Sequence, residues 1–130
     1  MNREPQWDMD GSADRERAER ESSARNRLGS LGADELEARP WWPAPAPPTA
    51  VDLTQFALWR AGDLSPDDVL ATLALLPAAR TEVDGVEAGL LFIARSAGLT
   101  WSQIADAMGF RSPQACQQYV ARLTARREER

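Results

Sequence analysis

The sequence predicts an all-α protein: a four- to five-helix domain that ends in two short helices and is preceded by a disordered arm. Three observations carry this expectation. Beyond position 50 the apolar residues recur at spacings of three and four, with no convincing alternation of the kind a strand shows. Helix-start and helix-stop residues bracket those runs. The first 39 residues, by contrast, are dominated by Arg, Glu, Asp, Ser, Gly and Asn, and bury too little apolar surface to offset their ordering entropy. The domain boundaries expected are a charged, disordered arm over 1–39, a Pro/Trp-rich linker over 40–50, and a helical domain over 51–130.

Composition narrows the function classes. The chain has 130 residues, 15 basic residues that are all arginine, 20 acidic ones, no histidine and a formal charge of −5. Without histidine and with Cys116 as the single cysteine, the usual zinc sites and the Ser-His-Asp or Cys-His nucleophile pairs cannot be assembled. No enzyme is expected, and no cofactor or metal. Asp67, Asp68, Asp84 and Glu87 read as helix-start and solvent-facing charges, not as acid–base catalysts. The longest apolar run, over 69–79, is interrupted by Pro77 and is too short to cross a membrane. A cytoplasmic protein with no membrane partner is therefore the expectation.

Each element has its local reason. In the arm, Glu and Arg recur at helical spacings over 14–25, which is compatible with a transient helix on a solvated tail. Five prolines within 40–48 predict an extended polyproline spacer. Trp41 and Trp42 inside it read as an apolar clip onto the following domain, with a docking peptide for another protein as the alternative. Leu53, Phe56, Ala57 and Arg60 share a helix face that Gly62 is placed to end. Ser65-Pro66-Asp67-Asp68 is a strong helix start: a serine cap, proline in the first turn, and carboxylates at the positive helix end. After Pro77 a long helix is expected over 78–97, burying Val83, Val86, Leu90, Ile93, Ala94 and Ala97, with Leu91 and Phe92 broadening the stripe. Gly98 stops it.

Thr100 can cap a short helix over 101–108 that Gly109 closes, and Ser112-Pro113 opens a last helix through about residue 126. In that helix Ala115, Cys116, Tyr119, Val120 and Leu123 share one face, while Gln114, Gln117, Gln118, Ala121 and Arg122 occupy the other. Two short helices with a glycine-containing turn, preceded by a long helix, make a helix-turn-helix unit at about 100–125. The stretch Gly98-Leu99-Thr100-Trp101-Ser102-Gln103-Ile104-Ala105-Asp106-Ala107-Met108-Gly109-Phe110 resembles bacterial helix-turn-helix DNA-binding domains, especially the sigma-factor C-terminal and response-regulator types. Ala105, Gly109, Ile104, Met108 and Phe110 match that pattern, and Ser112-Pro113-Gln114-Ala115 resembles the start of its recognition helix. One departure stands out. The commonest spacing would bury Ala115 and Gln118, and a turn one residue longer gives those places to Cys116 and Tyr119, which avoids burying an amide.

The resemblance implies sequence-specific binding of double-stranded DNA and transcriptional regulation in a bacterial cytoplasm. The DNA-binding residues would be Thr100, Ser102, Gln103, Arg111, Ser112, Gln114, Gln117, Gln118 and Arg122: glutamines for adenine, arginines for guanine or phosphate, hydroxyls and helix N-termini for phosphate. Charge placement agrees. Residues 91–127 hold five arginines against Asp106 alone, whereas 51–90 hold two arginines against seven carboxylates. Trp101 is expected to fill a wedge beside the long helix, and Cys116 to be a small core residue. A homodimer would enlarge the small footprint, with the apolar helices over 53–76 as the candidate interface and packing inside the monomer as the alternative. The competing expectation is an interaction adaptor that uses the same fold to engage RNA polymerase, a sigma factor or another regulator.

Overall fold

The computed structural model describes residues 4–40, 42 and 45–129, with side chains described from residue 11 onward. Among the described residues every regular element is a helix: α1 (Glu4–Ser30), α2 (Ala50–Trp59), α3 (Pro66–Ala74), α4 (Leu76–Ser96), α5 (Trp101–Met108) and α6 (Pro113–Glu128). Short 3-10 turns follow α1 and α2 at Ala33–Glu35 and Ala61–Asp63. The all-α expectation holds, with five helices after the arm. No described helix is long and apolar enough to cross a membrane. The chain forms two compact units, Met1–Ala79 and Arg80–Arg130.

The first unit closes around Ala24, Leu28, Ala33, Leu53, Phe56, Ala57 and Leu75. Two of its helices start on reciprocal caps. The Thr49 hydroxyl accepts from the Asp52 N–H at 3.1 Å while Asp52 accepts from the Thr49 N–H at 3.2 Å, and Ser65 and Asp68 repeat the arrangement for α3. The Ser65-Pro66 start lies where the sequence places it; the Thr49 cap is one the sequence reading lacked. Gly62 does not end α2. That helix stops at Trp59, Arg60 caps it, and Gly62 sits inside the following 3-10 turn. The break before α4 falls at Leu75, so Pro77 occupies the first turn of α4, where its missing N–H is not needed.

The arm needs correcting in its later part. Residues 11–23 add no buried side chain, as a solvated segment would, but Ala24, Leu28 and Ala33 belong to the core and Leu31 packs against it. Ala24 and Leu28 lie one turn apart on a face of α1 and Leu31 follows just past its end, a stripe too thin to fold alone and sufficient against α2 and α3. Polar ties hold it there. Arg27 Nε lies 2.6 Å from Asp68 Oδ1, Arg25 donates to the Pro48 carbonyl at 2.9 Å, and Arg60 donates to the Leu31 carbonyl at 3.1 Å. The linker is not an extended spacer where it is described. Arg39 and Trp42 exchange backbone hydrogen bonds, Arg39 pairs with Asp52 at 3.3 Å, and the Trp42 indole N–H donates to the Pro47 carbonyl. Trp42 thus folds onto its own loop and stays exposed, and no apolar clip forms through it; Trp41 lies outside the described residues.

The second unit packs α4, α5 and α6 around Leu91, Ile104, Ala105, Cys116 and Leu123. Its first two helices end alike. Gly98 (φ 85°) and Gly109 (φ 82°) adopt the left-handed conformation after α4 and α5, and the next residues, Leu99 and Phe110, donate back to Ala94 and Ala105 at 3.1 and 2.8 Å. This is the glycine-dependent reversal that lets a chain leave a helix sharply. The expected buried stripe of α4 holds at Leu91 and Ala94 and is overturned elsewhere, Phe92 included. Val83, Val86, Leu90 and Ile93 are 56–62% exposed, Ala97 is exposed as well, and Leu91 faces the core with Ala88 and Ala94 beside it. The helix is apolar on two faces, so periodicity alone could not say which one the unit uses.

Candidate functional site

The candidate site is built from α5, the turn over 109–112 and α6. α5 begins on a third capping box: the Thr100 hydroxyl accepts from the Gln103 N–H at 3.1 Å, and Gln103 Oε1 accepts from the Thr100 N–H at 2.8 Å. The Ser112 hydroxyl likewise accepts from the Ala115 N–H at 3.1 Å and starts α6, with Pro113 in the first turn. Three of the nine residues singled out in the sequence, Thr100, Gln103 and Ser112, are therefore structural caps whose oxygens are already engaged.

The other six lie differently. Ser102, Arg111, Gln114, Gln117, Gln118 and Arg122 are all exposed, and their side chains form no hydrogen bond or ion pair among the described residues. Behind them Cys116 and Leu123 are fully buried, and Tyr119 and Val120 are half-buried. Burial thus follows the register with the longer turn: Cys116 and Tyr119 point inward, and Gln118 faces solvent. Burial also pushes the Cys116 thiol pKa up, with the Glu87 carboxylate adding to it. A thiol held protonated and enclosed is a packing residue rather than a nucleophile.

What holds α6 to α4 was not legible in the sequence. The Tyr119 hydroxyl donates to the Glu87 carboxylate, which raises the phenol pKa; burial raises it further. Phe110 packs against the Tyr119 ring at 5.2 Å between centroids, and Arg126 pairs with Asp84 at 3.5 Å. Arg95 lies over the Trp101 ring at 4.9 Å and donates to the Leu99 carbonyl at 2.9 Å. These contacts divide the basic residues. Arg95 and Arg126 brace the scaffold, whereas Arg111 in the turn and Arg122 on α6 remain available to a ligand. A hint existed in the spacing of Tyr119 and Arg126, two turns apart on α6, but their acidic partners lie more than thirty residues upstream.

Chemically, the exposed face of α6 with the turn before it offers three carboxamides and two guanidinium groups, with no carboxylate in the first two turns of the helix. Carboxamides present paired donors and acceptors to a base edge or a peptide, and guanidinium groups bind phosphate or carboxylate. Among the described residues there is no cluster of His, Cys, Asp and Glu able to hold a metal ion. No protein-family model, curated protein or solved structure matches the chain.

Proposed function

We propose that this chain is a sequence-specific double-stranded DNA-binding protein that regulates transcription, with α6 as the helix that enters the major groove. One observation carries the reading: Gln114, Gln117 and Gln118, with Arg111 and Arg122 at either end, form an exposed face of uncommitted recognition side chains on a helix anchored from behind. Glutamine bonds adenine at N6 and N7, arginine bonds guanine or phosphate, and the first turns of a recognition helix are where such contacts are made. Ser102 and the N-terminus of α5 suit flanking phosphates. The overall charge of −5 does not oppose this, because the second unit carries seven arginines against six carboxylates and six of the nine candidate side chains have no internal partner among the described residues.

The test is retention of mixed genomic fragments across a salt titration. Binding that weakens steeply with salt, and that falls by at least tenfold when Arg111, Gln114 and Gln118 are changed to alanine, supports the reading, since each good base contact contributes about 1–3 kcal/mol. Failure to retain any fragment at low salt overturns it. A second reading, an adaptor that engages RNA polymerase, a sigma factor or another regulator, draws on the exposed apolar face of α4. It expects no DNA retention, and capture of one of those partners that is lost when Val86 or Leu90 is made charged.

A further inference from the structure

α4 carries more apolar surface than its unit consumes. Leu91 faces the core, yet Val83, Val86, Leu90 and Ile93 are each more than half exposed. Their spacing of three, four and three is that of the a and d positions of a heptad, and Ala97 continues it. Leu99, Ala107 and Met108 extend the same surface into a groove of about 340 Å³. Monomeric proteins rarely leave a contiguous apolar patch of more than a few hundred Å² open to water.

The charges of α4 identify the occupant. From Val83 to the helix end its charged residues are Asp84, Glu87 and Arg95, and each is engaged within the unit, by Arg126, Tyr119 and Trp101 respectively. The stripe itself, Val83, Val86, Leu90, Ile93 and Ala97, holds no charged residue over about four helical turns, and Glu87, held by Tyr119, lines the groove beside it. A strongly acidic or basic partner finds no complement along it. An apolar helix face of equal length does, and the same face of α4 in a second copy is one. Gly89 lies at the edge of the stripe, and a Cβ there would meet nothing within 4 Å, so the position is open and permits close approach of another backbone.

We propose that two copies of this chain pair through α4, antiparallel about a two-fold axis, with Val83 against the partner's Ile93, Val86 against the partner's Leu90, and Gly89 facing the partner's Gly89. The antiparallel order sets a smaller Val against a larger Leu or Ile in every layer, which fills space evenly, and it opposes the two helix dipoles. A parallel order would stack two underfilled Val layers next to two crowded layers of Leu and Ile. The pairing is isologous and closed, so it stops at a dimer. It stands apart from the DNA reading: either can fail without the other.

Sedimentation of the full chain from micromolar to submillimolar concentration tests it. The expected result is a dimer whose dissociation constant rises at least tenfold in Gly89→Arg, with an unchanged helical circular-dichroism spectrum because the position is open. Phe92→Glu, which alters an exposed apolar residue off the stripe, should leave the dimer intact. Under oxidation Gly89→Cys should cross-link between copies, while the native chain, whose Cys116 is buried, should not. A monomer at every concentration overturns the pairing and leaves the groove to a foreign helix. A dimer indifferent to Gly89→Arg overturns it as well.

Discussion

The two units use the same residue, arginine, in different ways. In the first unit Arg25, Arg27, Arg39 and Arg60 are tied to the Pro48 carbonyl, Asp68, Asp52, and the Leu31 carbonyl with Asp63, while Arg15, Arg17 and Arg20 earlier on α1 stay exposed. The tied arginines join segments distant in sequence, and they hold the later part of a charged arm against α2 and α3. In the second unit Arg95 and Arg126 brace the scaffold, and Arg111 and Arg122 stand exposed on the candidate recognition surface. Net charge hides this division. A guanidinium group paired with a carboxylate contributes little net field to solvent, and one held by a carbonyl is fixed in place, so what matters for a ligand is which arginines are uncommitted and where they lie.

The largest effects should separate the two cores. Leu28 and Leu123 are both fully buried, one in each core. Truncating either to alanine should cost about 2–5 kcal/mol, enough to unfold its own unit. Hydrogen exchange resolved by peptide is the readout: Leu28→Ala should deprotect α2 and α3 while α5 and α6 stay protected, and Leu123→Ala the reverse. If Leu28→Ala leaves the exchange of α2 and α3 unchanged, the arm is not part of the first core.

The second unit was the more legible in sequence, for a physical reason. Thr100, Gly109 and Ser112-Pro113 act on their own or the next turn, so their roles follow from neighbours along the chain, and the α5 and α6 boundaries came within two residues of those expected. The inward register of Cys116 and Tyr119 was likewise fixed by the need to keep Gln118 wet. The first unit required information that no local window holds. Ala24, Leu28, Leu31 and Ala33 are sparse among charges and acquire a purpose only when α2 and α3 cover them. α4 failed in the other direction, since it offers two apolar faces and only the contact made by Leu91 decides between them. At the candidate site the exposed glutamines and arginines were readable from helical period; the Glu87–Tyr119 and Asp84–Arg126 ties behind them were not.

Opposite ends of the pH scale should sharpen the comparison next. Arg27 beside Asp68, with the Ser65 N–H, holds the Asp68 carboxyl below its ordinary value of 3.8. Its contribution is complete above about pH 4 and is lost as pH falls through the lowered folded value. The Tyr119 phenol is raised above 10 by donating to Glu87, so its contribution is complete below pH 10 and is lost as pH rises through the higher folded value. Melting temperature against pH is the measurement. Asp68→Asn should lower stability at neutral pH, with the deficit shrinking below pH 4. Tyr119→Phe should cost about 1 kcal/mol at neutral pH, with the deficit shrinking above pH 10. A deficit for either variant that does not change across its window would remove that ion pair or hydrogen bond from the account.

The smallest effect on folding is the sharpest test of the division between inward and outward arginines. Arg122 is exposed and unpaired among the described residues, so Arg122→Gln should change stability by no more than about 0.5 kcal/mol. On the DNA reading the same change removes one phosphate or base contact, and the slope of log affinity against log salt should shrink by about one if the contact is to phosphate. Arg27→Gln is its mirror. It leaves Asp68, 11% exposed at its side chain, without its ionic partner, and should lower the melting temperature while leaving the salt slope unchanged. The pair reads as a crossed design in which each substitution moves one observable and spares the other. If Arg27→Gln flattens the salt slope as much as Arg122→Gln does, inward arginines also face the ligand, and the separation of roles between the two units fails.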